Sequence, residues 1–371
     1  MKIVCDRTEL LEVLSGVSKA VSSKSSIPAI EGILFKAADD TVTMTGYDLE
    51  IGIIASMDAQ VDEPGEIVLG ARLLCDIVRK VESDTVTIET DADLKAVVRG
   101  GITKFNFIGI PASDFPEMPI PDTDSTLTLS GAQLREMIGK TIYAVSASDQ
   151  KPVHTGTKFM IDEEGLTLVS VDGYRLAVCT RIENVVANTF KSFIVPGKML
   201  SEVSKLIGDS EDDVSIGTAR RYAVFTLGSY TVVTRLLEGD FLDYKKSIPP
   251  EWRTRVTIDV RAMVDAIDRA SLIISDRFKS PIRFNFDDGR VTLTCTTATG
   301  TSYDEIPCVI EGESVEIGFN NRYMLDALRY SGCDEIVFEI NGPGAPMKVL
   351  PPEGSDFLFL VLPVRIKSEN Q

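Results

Sequence analysis

Apolar residues recur along the chain with two alternating periods. In KIVCDRTELLEVLSGVSKAV, from Lys2, a short strand-like run precedes Leu10, Leu11, Leu14 and Val17, which share one face of a helix. LTLSGAQLREMIGKTIYAVS, from Leu127, repeats the plan with Met137, Ile138 and Ile142, and VTIDVRAMVDAIDRASLIIS, from Val256, repeats it with Met263, Ile267 and Ala270. A polar residue stands at the cap position each time: Asp6, Ser130 and Asp259. The three starts lie about 125–130 residues apart, a usual length for one domain.

The likeness continues past the first helix. Hairpin signals follow at Ala38-Asp39-Asp40, at Asp162-Glu163-Glu164-Gly165 and at Asp287-Asp288-Gly289. A strand then runs into a second amphipathic segment, GARLLCDIVRKV, GKMLSEVSKLI and NNRYMLDALRYS in turn, and each unit closes with further strands. Each third is thus strand–helix–strands taken twice. That order predicts an α+β fold in which two helices lie against antiparallel sheet. Proline-rich stretches at Pro116–Pro121 and Pro249–Trp252 mark the joins. The expected domains are 1–121, 122–250 and 251–366, with a polar tail at 367–371.

Composition narrows the function. The net charge of −18 over 371 residues opposes bulk attraction to nucleic acid or anionic membranes. The acids crowd the hairpins and loops, as in Asp39-Asp40, Glu211-Asp212-Asp213 and Asp287-Asp288. Bases collect on the helices and their leads instead: Lys19, Lys24, Arg72, Arg79, Lys80, Lys140, Lys198, Lys205, Arg269, Arg277, Lys279, Arg322 and Arg329. A surface made of the helices is less acidic than the rest; the same residues also fit ordinary solvated helix faces. The first dozen residues are charged and lack the apolar core of a signal peptide. The most apolar run, Phe357–Leu362, is too short to cross a bilayer. Six separated cysteines read as free thiols in a reducing cytoplasm.

Catalytic chemistry finds little support. The one histidine, His154, pairs on paper with Asp172, with Ser146 or Ser148 as nucleophile, but nothing in the sequence brings them together. There is no G-x-S-x-G elbow and no Walker lysine motif. Scattered cysteines and a single histidine make a poor metal site. The expectation is no enzyme and no cofactor, with His154 on a surface loop.

Five local motifs inside the three-fold repeat carry a specific resemblance: Thr45-Gly46-Tyr47-Asp48-Leu49-Glu50, Asp172-Gly173-Tyr174-Arg175-Leu176-Ala177, Asp240-Phe241-Leu242-Asp243-Tyr244, Ile317-Gly318-Phe319-Asn320 and Leu362-Pro363-Val364-Arg365. In their order and separations the chain resembles the bacterial DNA polymerase III β subunits, the sliding clamps, from Met1 to about Ile366. The resemblance implies a head-to-tail homodimer of two three-domain chains, closed around duplex DNA. It implies helices lining the hole, with Lys24, Arg72, Arg79, Lys80, Gln150, Lys198, Lys205, Arg277 and Lys279 facing the DNA without sequence preference. It implies a seam at Phe105 and Phe107 on one chain and Leu272, Ile273, Asp304 and Glu305 on the other. The partners implied are the DNA polymerase III α subunit, the clamp loader, other polymerases and repair proteins, each docking a short linear motif.

By the same resemblance the docking groove lies between the second and third domains. Its walls map to Val171, Gly173, Tyr174, Arg175, Leu176, Leu242, Ser247, Asn320, Tyr323, Met324, Pro346, Leu360, Val361, Leu362, Pro363, Val364 and Arg365. Arg175 is expected to frame the groove with its head at the rim. The chain departs from the family pattern in three places. Leu242 replaces a common proline, Ser247 replaces a common aliphatic, and Lys151-Pro152-Val153-His154 lacks the usual aromatics. A peptide-binding scaffold with no DNA role stays as the alternative.

Overall fold

The computed structural model describes residues 1–123, 125–162, 165–181, 186–187, 191–274 and 280–366. Among these lie six α-helices: α1 (Arg7–Val17), α2 (Ala71–Lys80), α3 (Gly131–Ile142), α4 (Gly197–Ile207), α5 (Val260–Ser271) and α6 (Asn321–Arg329). The cap expectations hold. Asp6, Ser130 and Asp259 accept from the backbone N–H groups of Glu9 (2.9 Å), Gln133 (3.2 Å) and Ala262 (2.6 Å). The apolar spacing also holds, because Leu10, Leu14 and Val17 of α1 and Met263, Ile267 and Ala270 of α5 are all buried. No described helix is long and apolar enough to cross a membrane.

The strands form four antiparallel sheets of five, nine, nine and four strands. They belong to two compact units. In one, α1 and α2 pack on each other and against the five-stranded sheet and a nine-stranded sheet. In the other, α5 and α6 do the same with the four-stranded sheet and the second nine-stranded sheet. Asp39 and Asp40, with φ of 50° and 55°, and Asp288 and Gly289, with φ of 49° and 72°, make the expected tight turns; Glu163 and Glu164 lie outside the described residues.

Both nine-stranded sheets are continuous across successive repeats. In the first unit, Ile51–Asp58 pairs with Tyr230–Arg235, placing Ile51 opposite Thr234 and Gly52 opposite Val233. In the second, Arg175–Arg181 pairs with Phe357–Val361, placing Arg175 opposite Val361 and Leu176 opposite Leu360. The turns before these strands match bond for bond. Oδ1 of Asp48 accepts from the N–H groups of Glu50 (3.0 Å) and Ile51 (2.8 Å), and Oδ1 of Asp172 accepts from those of Tyr174 (2.8 Å) and Arg175 (3.0 Å). The N–H of Arg235 reaches the carbonyl of Glu50 at 3.1 Å, as that of Leu362 reaches Tyr174 at 2.9 Å. The corner residue has positive φ in both turns, 78° at Leu49 and 94° at Gly173. Glycine adopts that conformation freely, whereas leucine adopts it at a cost.

An ion-pair network ties α3 to the second of these junctions. Glu136 accepts from Lys140 and Arg181, both at 2.6 Å, and Arg181 also holds Asp356 at 2.7 Å. Nζ of Lys140 sits 5.0 Å from the Phe357 ring centroid. Burial alone raises the Glu136 pKa, but the hydrogen bonds from Lys140 and Arg181 outweigh it and hold the carboxyl below its ordinary value. A carboxylate whose folded pKa is depressed contributes stability above its unfolded pKa and loses it as pH falls through the folded value. Glu136→Gln is therefore expected to lower the melting temperature at pH 7, and the gap to the wild type should narrow at a pH under the ordinary glutamate pKa of about 4.3. Thermal unfolding at both pH values checks this; an equal gap at both rules it out.

Candidate protein-binding groove

The turn at Asp172–Arg175 interrupts an otherwise apolar sheet face. Alternation puts Val169 and Val171 of one strand and Leu176 and Val178 of the next on that face, and all four are buried in a cluster with Leu360 and Tyr244. Phe241, Ile248, Met160 and Leu358 pack around it. Phe241 and Tyr244 come from the Asp240–Tyr244 motif, which folds back over the sheet and ends in a 3-10 turn at Tyr244–Ser247. The expected wall residues fall into two sets. Val171, Leu176 and Leu360 are buried in this cluster, whereas Tyr174, Leu242, Ser247, Leu362, Val364 and Arg365 are exposed. Gly173 is exposed at the corner, and Pro346, Pro363, Asn320 and Tyr323 are half-buried. Asn320 caps α6 by accepting from the Arg322 N–H at 2.9 Å. Met324 and Val361 belong to the third repeat's core, with essentially no exposed surface, so they support a wall from behind.

Arg175 departs from its expected place at a rim. Its side chain is only 13% exposed. Nε donates to Asp172 at 2.9 Å, and a terminal nitrogen pairs with Asp326 of α6. The guanidinium carbon lies 4.7 Å from the Tyr323 ring centroid and 5.4 Å from that of Tyr143. Burial lowers the Arg175 pKa, but the bond to Asp326 and the charges of both carboxylates more than reverse this and raise it. Tyr174 stacks on Tyr323 with centroids 5.8 Å apart. Tyr143 stacks in turn on Tyr330 at 5.1 Å.

His154 also differs from expectation. It is buried on a 3-10 turn, and its ring meets Phe241 edge-on at 5.6 Å. Its carbonyl accepts from the Ser146 N–H at 2.8 Å, which closes the loop. Burial first, then the charge of Lys151, lowers its pKa, and Asp172 partly opposes them. The imidazole is an apolar support for Phe241, packed inward because the linker covers it. No group of three or more potential metal ligands occurs among the described residues. The six cysteines are free, four buried and two half-buried; burial pushes the Cys179 thiol up to about 11.

The other expected site residues fall on two kinds of surface. Lys24, Arg72 and Lys80 are exposed and form no ion pair among the described residues, while Arg79 pairs with Asp76, Lys198 with Asp48 and Lys205 with Glu202. Gln150 is exposed on its loop. Arg277 and Lys279 lie outside the described residues. Thr103–Ile108, with Phe105 exposed and Phe107 half-buried, is an edge of the five-stranded sheet, and Gly300–Pro307 is an edge of the four-stranded sheet. Leu272 is 85% exposed, whereas Ile273 is half-buried against the core of its own repeat. Asp304 pairs with Arg269 at 2.6 Å, and Glu305 accepts from Tyr303 at 2.8 Å.

Sequence reasoning missed Val169, Val178, Tyr143, Asp326 and the fully exposed Ile102. Strand alternation from Val171 and Leu176 would have found the first two. Asp326 stands 151 residues from Arg175, with no local pattern to join them.

Three copies of one α+β plan, joined by sheet pairing and carrying no catalytic cluster among the described residues, define the class: a DNA-clamp fold. Family models for the DNA polymerase III beta subunit match in register along the chain, the N-terminal domain over residues 1–119, the central domain over 128–243 and the C-terminal domain over 245–365. The chain is 33% identical to the beta sliding clamp of Staphylococcus aureus, with 98% of this chain and 99% of that one covered. It superposes on the Bacillus subtilis DNA polymerase sliding clamp with a TM-score of 0.95 at 29% identity, and on a DNA polymerase III beta subunit from Eubacterium rectale, described as putative, with 0.93 at 34%. Each superposition covers 99% of this chain and all of the other. A Pseudomonas aeruginosa sliding clamp solved with griselimycin gives 0.94 at 25% identity, with the same coverage. The chain belongs to the bacterial β sliding clamp family, the DNA polymerase III beta subunits. It is a non-catalytic processivity factor of DNA polymerase, and the family acts in replication in the cytoplasm.

Proposed function

We propose that two copies of the chain close head to tail into a ring around duplex DNA, and that the Leu176 groove tethers partners to it. The observation that carries this reading is the repeated register. Ile51 and Arg175 begin equivalent strands and face Thr234 and Val361. Hairpin alignment makes Gly300 the counterpart of Ile51 and Arg175, and Phe107 the counterpart of Thr234. Both lie on sheet edges that have no partner strand among the described residues. The third junction then pairs Thr103–Ile108 of one copy with Gly300–Pro307 of the next, with Phe107 opposite Gly300 and Phe105 opposite Ser302. Two copies satisfy both edges.

The seam reading puts Ile102, Phe105, Ile108 and Leu272 at the join. All four are exposed in the single chain, and burying each contributes roughly 1.5–3 kcal/mol before ordering costs. Asp304 and Glu305 are already satisfied within their own chain, so main-chain pairing and apolar contact hold the seam.

A closed ring retains DNA by topology, which suits a chain of net charge −18. Weak phosphate contacts from exposed cations such as Lys24, Arg72 and Lys80 suffice and permit sliding. Arg79, Gln150, Lys198, Lys205, Arg277 and Lys279 complete the proposed DNA-facing set. The domains are proposed at 1–121, 122–250 and 251–366. The groove's partners are proposed as the polymerase III α subunit, the clamp loader, other polymerases and repair proteins. A motif with two or three apolar anchors reaches the roughly 8 kcal/mol of micromolar affinity.

Three outcomes are expected. Loaded protein should stay on a nicked circle and leave after linearisation; equal loss from both forms leaves a scaffold with no DNA role. Leu272→Asp should sediment as a monomer that still unfolds cooperatively, with a melting temperature no longer dependent on protein concentration, and a persistent dimer removes this seam. Leu242→Asp combined with Leu362→Asp, both on the exposed rim, should weaken a fluorescein-labelled polymerase-derived peptide by at least about tenfold in anisotropy titration while the dimer mass persists. Normal affinity would place the docking site elsewhere.

A further inference from the structure

The groove joins two walls of different origin, the turn Asp172–Arg175 from the second repeat and helix α6 from the third. One side chain links them. Arg175 is fastened to its own turn through Asp172 and to α6 through Asp326, and it lies between the rings of Tyr143 and Tyr323. Tyr174, beside it on the turn, stacks on Tyr323 of the same helix. Two carboxylates compensate one guanidinium and engage its Nε and one terminal nitrogen, so little of its charge is left for an incoming peptide. A planar guanidinium suits this fastening role, because it can bond two carboxylates in fixed directions and still lie against an aromatic face.

We propose that Asp326 is a positioning residue for docking: through Arg175 it fixes the separation of the turn from α6, so that a motif meets a rigid, charge-compensated wall. The proposal rests on the docking reading above. A peptide is then recognised at this end by shape and main-chain bonding. Loosening the wall removes preorganisation, which shows mainly in the dissociation rate.

The test is stopped-flow anisotropy with the labelled polymerase-derived peptide on full-length protein, with melting temperature and dimer mass measured on every variant. Asp326→Asn and Arg175→Lys should each speed dissociation about fivefold to tenfold and leave association within about twofold. The double variant should be no worse than either single, since both break one connection. Asp326→Glu should restore most of the residence time. The Nε–H resonance of Arg175 in 15N-labelled wild-type protein supplies a readout that does not depend on any variant folding. It should be slow to exchange in the free protein and should not shift when the peptide binds. A wild-type dissociation rate in Asp326→Asn, additive effects in the double variant, or a large peptide-induced shift of that resonance overturns the proposal. The docking reading itself fails separately, if wild-type protein does not bind the peptide or the Leu242→Asp, Leu362→Asp variant binds it equally well.

Discussion

Main-chain pairing between successive repeats is the constraint on which the rest of the structure depends. Once Leu176 faces Leu360 and Arg175 faces Val361, the side chains of both strands are assigned to faces, because strand periodicity leaves only two choices. Val178 and Leu176 must then share a face with Leu360. A slip of one residue would turn the Leu176 cluster to the opposite face of the sheet and the core residues outward. The Asx turn at Asp172 guards against that slip by ending the preceding strand at a set point.

The same frame carries different chemistry in its two copies within the chain. At the first junction the positions of Arg175 and Leu176 are taken by Ile51 and Gly52, and the position of Leu362 by Arg235. Gly52 leaves room that Met118 fills, since a Cβ there would stand 1.9 Å from its sulfur. The linker residue Phe115 is buried beside Tyr47 and Val68, as Phe241 packs beside Tyr244 and Leu176. Backbone geometry is thus held while Met118 takes the space beside Gly52 in one copy and apolar Leu362 stands exposed in the other. Hydrogen bonds to main-chain groups need only an acceptor of the right reach, so side chains around them can vary without moving the strands.

Much of this was legible in the sequence, for identifiable reasons. Helix caps and helical spacing are local, and Asp6, Ser130 and Asp259 with their following apolar stripes read directly. The three-fold repeat reinforced each weak strand signal with two others. Long-range pairings were not legible. Nothing near Arg175 in sequence points to Asp326, and so its guanidinium was expected at a rim instead of between two carboxylates. His154 looked exposed because it is polar and lies in a polar loop, yet its ring supports Phe241. Leu49 at positive φ runs against its own preference, and the Glu50 and Ile51 N–H bonds to Asp48 Oδ1 hold the turn around it.

The units that recur in the sequence are not the units that pack. Strands from residues 213–235 share a sheet with the first repeat, while strands from 156–181 share one with the third. The middle repeat therefore has no sheet wholly its own. Excised alone, it would bare the main-chain edges of Arg175–Arg181 and Tyr230–Arg235, each now paired over five positions, and such raw edges invite promiscuous aggregation.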